Sequence, residues 1–185
     1  MKKIIIIGAG AMGSAFAVPC LENQNEVTLV GTHLEDDLIN NIKSNNNLHP
    51  ALNIELPSKL KVEKFEKLQS ILEEGVDIIV AGVSSVGIEW FVKQITKSYK
   101  KNLPIILLTK GLAIEGNELI TLSDKIKKLL KDEGHTQVNI SAIKGPCLAA
   151  GLAYKMRTGT VIANPDIKET EKLKKIISTD YYSTE

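Results

Sequence analysis

Ile4-Ile5-Ile6-Ile7-Gly8-Ala9-Gly10-Ala11-Met12-Gly13-Ser14-Ala15-Phe16-Ala17 is the stretch that decides the fold. Four β-branched residues break into G-x-G-x-x-G and then into small and apolar residues, the order expected of strand, turn and helix. Each glycine has a physical task in that order. Gly8 permits the tight turn, Gly10 has no Cβ to hold a pyrophosphate off the backbone, and Gly13 lets the helix pack closely on the strand. The unpaired N–H groups and positive dipole end of the helix then face the phosphates. In this setting Gly8-Ala9-Gly10-Ala11-Met12-Gly13 predicts a dinucleotide-binding turn rather than an ordinary glycine-rich loop.

Several function classes are disfavoured by composition. Lys2 and Lys3 ahead of four isoleucines imitate a secretory signal, but the apolar run is too short and breaks at once into Gly-Ala-Gly. No segment approaches the ~18 apolar residues that span a bilayer, so the chain is expected to be soluble and cytoplasmic. Cys20 and Cys147 are too few for a disulfide framework and are not spaced as metal ligands. His33, His49 and His135 are too scattered for a metal set. A net charge of +1 leaves no basic footprint for nucleic acid. With 185 residues, 43% of them hydrophobic, the chain can bury one good core. Residues 1–185 therefore read as a single domain.

Strand and helix signals alternate nearly to the end. Strands are expected at 4–7, 27–30, 60–62, 76–81, 104–109, 138–143 and 160–163. Helices are expected after Gly10, at 34–43, at 65–73, after Ser84-Ser85, at 117–131 and at 169–177, with an Asn- and Pro-rich loop at 44–57. The 117–131 helix rests on Leu119, Leu122, Ile126 and Leu129 recurring three or four residues apart, with Gly134 as its stop. Trp90 reads as a core residue. Such alternation predicts an α/β fold of Rossmann type, a doubly wound and mostly parallel sheet with helices on both faces. Ligands of such sheets bind beyond the carboxyl ends of the strands.

Those ends carry the candidate chemistry. The acid that usually reads the adenine ribose is missing where the second strand runs into Gly31-Thr32-His33. Glu35 reads as an acid of the next helix's first turn, where the dipole favours it. Arg157, the only arginine, lies far along the chain. The cofactor is therefore NAD or NADP, with Thr32 and His33 available to a 2′-phosphate. Lys110 ends an all-apolar strand, and an ammonium there can polarise a carbonyl or hold a phosphate. Lys144 stands in a similar place but reads as a solvated surface lysine. Cys147, after Gly145-Pro146, is a packed small side chain or a polar or reactive contact.

The sequence is similar as a whole to the glycerol-3-phosphate dehydrogenases. The resemblance rests on the glycine turn, His49-Pro50, Leu56-Pro57, Gly82-Val83-Ser84-Ser85, Thr109-Lys110-Gly111-Leu112 and Gly145-Pro146-Cys147-Leu148-Ala149. It is nearest to archaeal-type members, whose second strand also runs into Gly-Thr. It implies reversible hydride transfer between a nicotinamide nucleotide and dihydroxyacetone phosphate or sn-glycerol 3-phosphate. By the same resemblance Ala11, Met12, Thr32, Val83 and Ala149 would touch the cofactor. Lys110 would lie between nicotinamide and substrate, and Gly145 and Cys147 would face the substrate. The chain departs from the family in having Cys147 for serine, Ser84 for a common proline, and Gly151-Leu152 where an acid is usual.

Family members continue into a helical domain that carries the catalytic lysine. No residue here matches that lysine, so these residues are expected to bind nucleotide without turnover, and to need that domain or a second copy as partner. Two other readings stand beside this one: a related reductase such as a ketopantoate reductase, and a non-catalytic nucleotide-binding or redox-sensing module.

Overall fold

The computed structural model describes residues 1–100 and 102–185. The first strand, β1 (Lys3–Ile7), turns through Gly8-Ala9-Gly10 into helix α1 (Ala11–Glu22), and β2 (Glu26–Val30) and α2 (Asp36–Ser44) follow. Two short strands, β3 (Leu48–His49) and β4 (Ile54–Glu55), pair antiparallel inside the segment expected to be a loop. β5 (Lys61–Glu63), α3 (Leu68–Glu74), β6 (Ile78–Ala81), α4 (Ile88–Ile95) and β7 (Pro104–Leu107) complete the alternation. Next come the hairpin β8 (Leu112–Glu115) and β9 (Glu118–Thr121), then α5 (Leu122–Asp132) and β10 (Asn139–Lys144). The chain closes with α6 (Ala149–Ala153), β11 (Thr158–Ala163), α7 (Ile167–Ile177) and β12 (Tyr182–Thr184).

Eight strands form one sheet in the order β12-β11-β10-β7-β6-β1-β2-β5. Every pairing is parallel except β10 with β11. The expected doubly wound, mostly parallel sheet is therefore present. The chain winds outward from β1 to β5, then returns to the other side of β1 at β6, so the order reverses between β1 and β6. A crevice opens at the carboxyl ends of strands at such a reversal.

Burial on both faces explains the unbroken isoleucine run. Ile4 and Ile6 pack into a cluster with Ala15, Phe16 and Leu173, and Ile5 and Ile7 into a second with Leu68, Phe91 and Ile126. A strand covered on both faces has no solvent side on which to place polar residues. α1 is apolar nearly all round because the sheet lies on one side of it and α6 and α7 on the other. Trp90 packs at the edge of the second cluster, half-buried rather than central.

The helix expected at 117–131 starts five residues later. Residues 118–121 are β9 instead, and Leu119, counted as a core position, is 69% exposed. Gly116, at φ +58°, takes the first central position of a two-residue turn between β8 and β9, which favours a hairpin. Thr121 then caps α5, its side-chain oxygen accepting the Asp124 N–H at 3.1 Å. No helix among the described residues is long and apolar enough to cross a membrane.

Candidate functional site

The glycine turn is built by backbone contact. Gly8 has φ +110°, and a Cβ there would stand 2.7 Å from the backbone of Gly82 at the end of β6. A Cβ on Gly13 would come within 2.1 Å of the Gly8 carbonyl oxygen, so helix and turn meet at a distance only glycine allows. Gly10 is different. A Cβ there would meet nothing nearer than Glu35 Oε1, at 3.9 Å, so the space above it is open. Gly10 caps α1 without any side-chain hydrogen bond, which leaves the first N–H groups of the helix directed into that space.

Ala9 is held on both sides. Its carbonyl accepts from Ser14 Oγ at 2.9 Å and pairs with His49 Nε2 at 3.0 Å. The Leu52 N–H donates to His49 Nδ1, which makes Nε2 the protonated nitrogen. His49 is 1% exposed and belongs to the scaffold of the turn. Spacing between histidines gave no hint of this, because the partner is a backbone carbonyl 40 residues away.

Glu35 corrects the expectation of a first-turn acid. It precedes α2, and its carboxylate turns back to accept from the N–H groups of Ala9 at 3.0 Å and Thr32 at 2.7 Å. An acid therefore does lie between the end of β2 and the glycine turn. Its place in the sequence resembled a helix start, and only the folded loop reveals the carboxylate's direction. His33 lies beside it, its ring 5.0 Å from Trp90 and 6.1 Å from Phe65.

Farther along the same sheet end, a cleft of about 410 Å³ is bordered by Met12, Val83, Lys110, Cys147 and Ala149 together with Ser84, Ser85 and Leu148. Gly145 joins Met12, Lys110 and Cys147 around a smaller adjoining pocket. Thr32 stands apart from both, at the end of β2 beyond the glycine turn. Val83 is fixed by its carbonyl, which accepts from Thr109 Oγ1 at 2.7 Å. Cys147 is 5% exposed, so its thiol is packed, while its carbonyl takes part in the site.

Lys110 Nζ donates to the carbonyls of Gly145 at 2.9 Å and Cys147 at 3.3 Å. Lys144, expected to be a solvated lysine, is half-buried and donates to the Thr109 carbonyl at 2.7 Å. Burial, and then the positive charge of Lys110, hold its pKa below the ordinary lysine value. The larger hollow of the molecule, about 790 Å³, opens at the opposite end of the sheet beside Lys2, Asp77 and Asn139, away from the glycine turn.

Comparison with known proteins agrees with this geometry. The family described as NAD-dependent glycerol-3-phosphate dehydrogenase N-terminus matches residues 3–170. An NADP(+)-dependent glycerol-3-phosphate dehydrogenase of Archaeoglobus fulgidus is 34% identical over 184 residues, 98% of this chain and 52% of the relative. A glycerol-3-phosphate dehydrogenase [NAD(P)+] of Mesoplasma florum is 31% identical over 185 residues, with the same coverage. The chain thus spans about half the length of the curated relatives it matches. Among solved structures, glycerol-3-phosphate dehydrogenase from Coxiella burnetii superposes with a TM-score of 0.83 at 23% identity, over 99% of this chain and 53% of that one. The likeness to that structure bears on the fold.

Proposed function

Because this chain belongs to the NAD-dependent glycerol-3-phosphate dehydrogenase N-terminal family, we propose that it holds the nicotinamide nucleotide of an oxidoreductase that interconverts dihydroxyacetone phosphate and sn-glycerol 3-phosphate. The observation that carries this reading is the open space above Gly10 at the uncapped start of α1. Helix N–H groups and the helix dipole favour a pyrophosphate there, and a Cβ would intrude on it.

The residues fit the group in the order in which a dinucleotide would extend along the sheet end. Thr32 and Glu35 border the adenosine side, Gly8 to Gly13 the pyrophosphate, and Met12, Val83 and Ala149 the nicotinamide side. The choice between NAD and NADP is assigned to Glu35, whose carboxylate faces the glycine turn. The bound nucleotide supplies or accepts the hydride. The chain's own part is to orient it and to hold Lys110 at the substrate side, where its ammonium can donate to a carbonyl oxygen. The archaeal-type resemblance is supported by the Gly31-Thr32 run at the end of β2. A helical partner, in the same polypeptide or separate, would provide the opposite wall.

Titration of NADH and NADPH into the wild-type protein and Gly10→Val tests the assignment. Wild type should bind at least one of them. The variant should keep its circular dichroism spectrum and lose binding, because the isopropyl group fills the open space. Equal affinity in both proteins would refute it.

A further inference from the structure

We propose that His49 is a positioning residue for nucleotide, holding the Ala9–Gly10 peptide so that the Gly10 N–H is presented to the pyrophosphate. The N–H groups of Gly8, Ala9 and Gly10 lead from β1 into α1. That of Gly8 donates to the Val30 carbonyl at 2.8 Å, and that of Ala9 donates to Glu35 at 3.0 Å. Among the described residues nothing takes the N–H of Gly10, so it is the first of the turn left for a ligand.

Where that N–H points is decided at the neighbouring carbonyl. The Ala9 carbonyl and the Gly10 N–H belong to one planar trans peptide, in which the two groups face opposite ways. Two buried donors draw the carbonyl inward, Ser14 Oγ at 2.9 Å and His49 Nε2 at 3.0 Å. Planarity then turns the Gly10 N–H outward, at the uncapped start of α1. Ser14 belongs to α1 and moves with it. His49 comes from a separate element, the β3–β4 pair, and Leu52 and Leu56 bury that segment in the same cluster as Ala15 and Phe16 of α1. It therefore fixes the peptide against the body of the protein.

The imidazole is itself held in place. A carbonyl oxygen only accepts, so Nε2 carries the proton, and Nδ1 accepts from the Leu52 N–H at 3.3 Å. The His49 carbonyl takes the N–H groups of Leu52 at 3.2 Å and Asn53 at 2.8 Å, which ties down the backbone beneath the ring. Asn46, Asn47 and Asn53 make the bends on either side, at φ of 51°, 61° and 53°, a region that asparagine tolerates. The Asn-rich segment thus delivers one buried donor to the glycine turn.

The inference deepens the functional reading and rests on it, and the test separates the two. NADH and NADPH are titrated calorimetrically into wild type, His49→Gln and His49→Asn, with circular dichroism as the check on folding. A glutamine amide places an N–H donor as far along the side chain as Nε2, whereas an asparagine amide reaches only as far as Nδ1. His49→Gln should bind as wild type does. His49→Asn should bind about fivefold more weakly or worse, the loss of one hydrogen bond. In wild type, proton–nitrogen correlation spectra should show the proton of His49 on Nε2, and the Gly10 amide resonance should move downfield when nucleotide is added. These spectra decide the matter even if His49→Asn fails to fold. Equal affinity in wild type and His49→Asn, equal loss in both variants, or a Gly10 amide unmoved by bound nucleotide would overturn the inference and leave the nucleotide reading standing. Binding of neither nucleotide by wild type would overturn both.

Discussion

The carboxylate of Glu35 accepts the main-chain N–H of Ala9 at 3.0 Å, so an acid just ahead of α2 is drawn back over the glycine turn. The same oxygen accepts from Thr32 at 2.7 Å and ties the end of β2 to the end of β1. An acid in that position of a nucleotide-binding sheet accepts a ribose hydroxyl and opposes a ribose phosphate. Two unit charges at 4 Å repel by about 1 kcal/mol even in bulk water. Glu35→Gln keeps an acceptor for both N–H groups and removes the charge. The ratio of NADPH to NADH affinity should therefore rise by about fivefold, an effect of ~1 kcal/mol, measured by fluorescence titration. An unchanged ratio would mean that the 2′ position lies away from Glu35.

Gly13 and Gly10 should separate stability from binding. The missing Cβ of Gly13 would stand 2.1 Å from a backbone oxygen, which cannot swing aside as a side chain can. Gly13→Ala should lose about 1–3 kcal/mol or more in urea unfolding, the usual cost of forcing extra volume into a packed site. Gly10→Ala places its methyl in open space and should stay within about 1 kcal/mol of wild type. Equal losses in the two variants would contradict the packing of α1 on the turn.

How much of this was legible in the sequence differs from residue to residue. Ile4 to Ile7 announced a strand buried on both faces, because no polar residue interrupts the run. The start of α5 was misread because Leu119 continues the helical spacing of Leu122 and Ile126. The competing signal was Gly116-Asn117, a two-residue turn, and it prevails because the chain can pair residues 112–115 with 118–121. The two lysines at the crevice were visible as residues at strand ends. Their crossing onto Gly145 and Thr109 was not, since it depends on the register of strands more than 30 residues apart. Glu35 failed for a related reason: spacing says that an acid is near a helix start, and nothing local says where its carboxylate points.

Asp77 predicts a component of acid unfolding. The Lys3 N–H donates to its carboxylate at 2.8 Å, and this bond, aided by Lys2, holds its pKa below the ordinary aspartate value. A depressed folded-state pKa contributes stability that is fully present above the unfolded value, about 3.9, and is lost as pH falls through the folded one. The carboxylate is 41% exposed, so screening limits the effect to about 1 kcal/mol or less. Asp77→Asn should be less stable than wild type at pH 7, and the gap should close as the pH drops below about 4. A gap that does not narrow in urea unfolding as the pH falls below about 4 would assign the loss to packing instead.

These 185 residues alone should bind nucleotide without turning over substrate. Hydride transfer needs the reacting carbon held against the nicotinamide, and such positioning can supply roughly 7–11 kcal/mol of the barrier. The cleft beside Met12 and Val83 is open along one side and offers one wall of such an enclosure. A general acid or base must also sit within hydrogen-bond reach of the reacting oxygen. Among the described residues bordering that cleft, the titratable side chains are Lys110 and the buried thiol of Cys147. Lys110 already gives two of its donors to the Gly145 and Cys147 carbonyls, which suits orientation more than proton transfer. The chain should therefore bind NADH or NADPH and show no steady loss of cofactor absorbance with dihydroxyacetone phosphate at high protein concentration. Supplying a family helical domain, fused or as a separate chain, should restore activity. Steady turnover by the 185 residues alone would place the proton donor within them, with Lys110 as the residue to replace first.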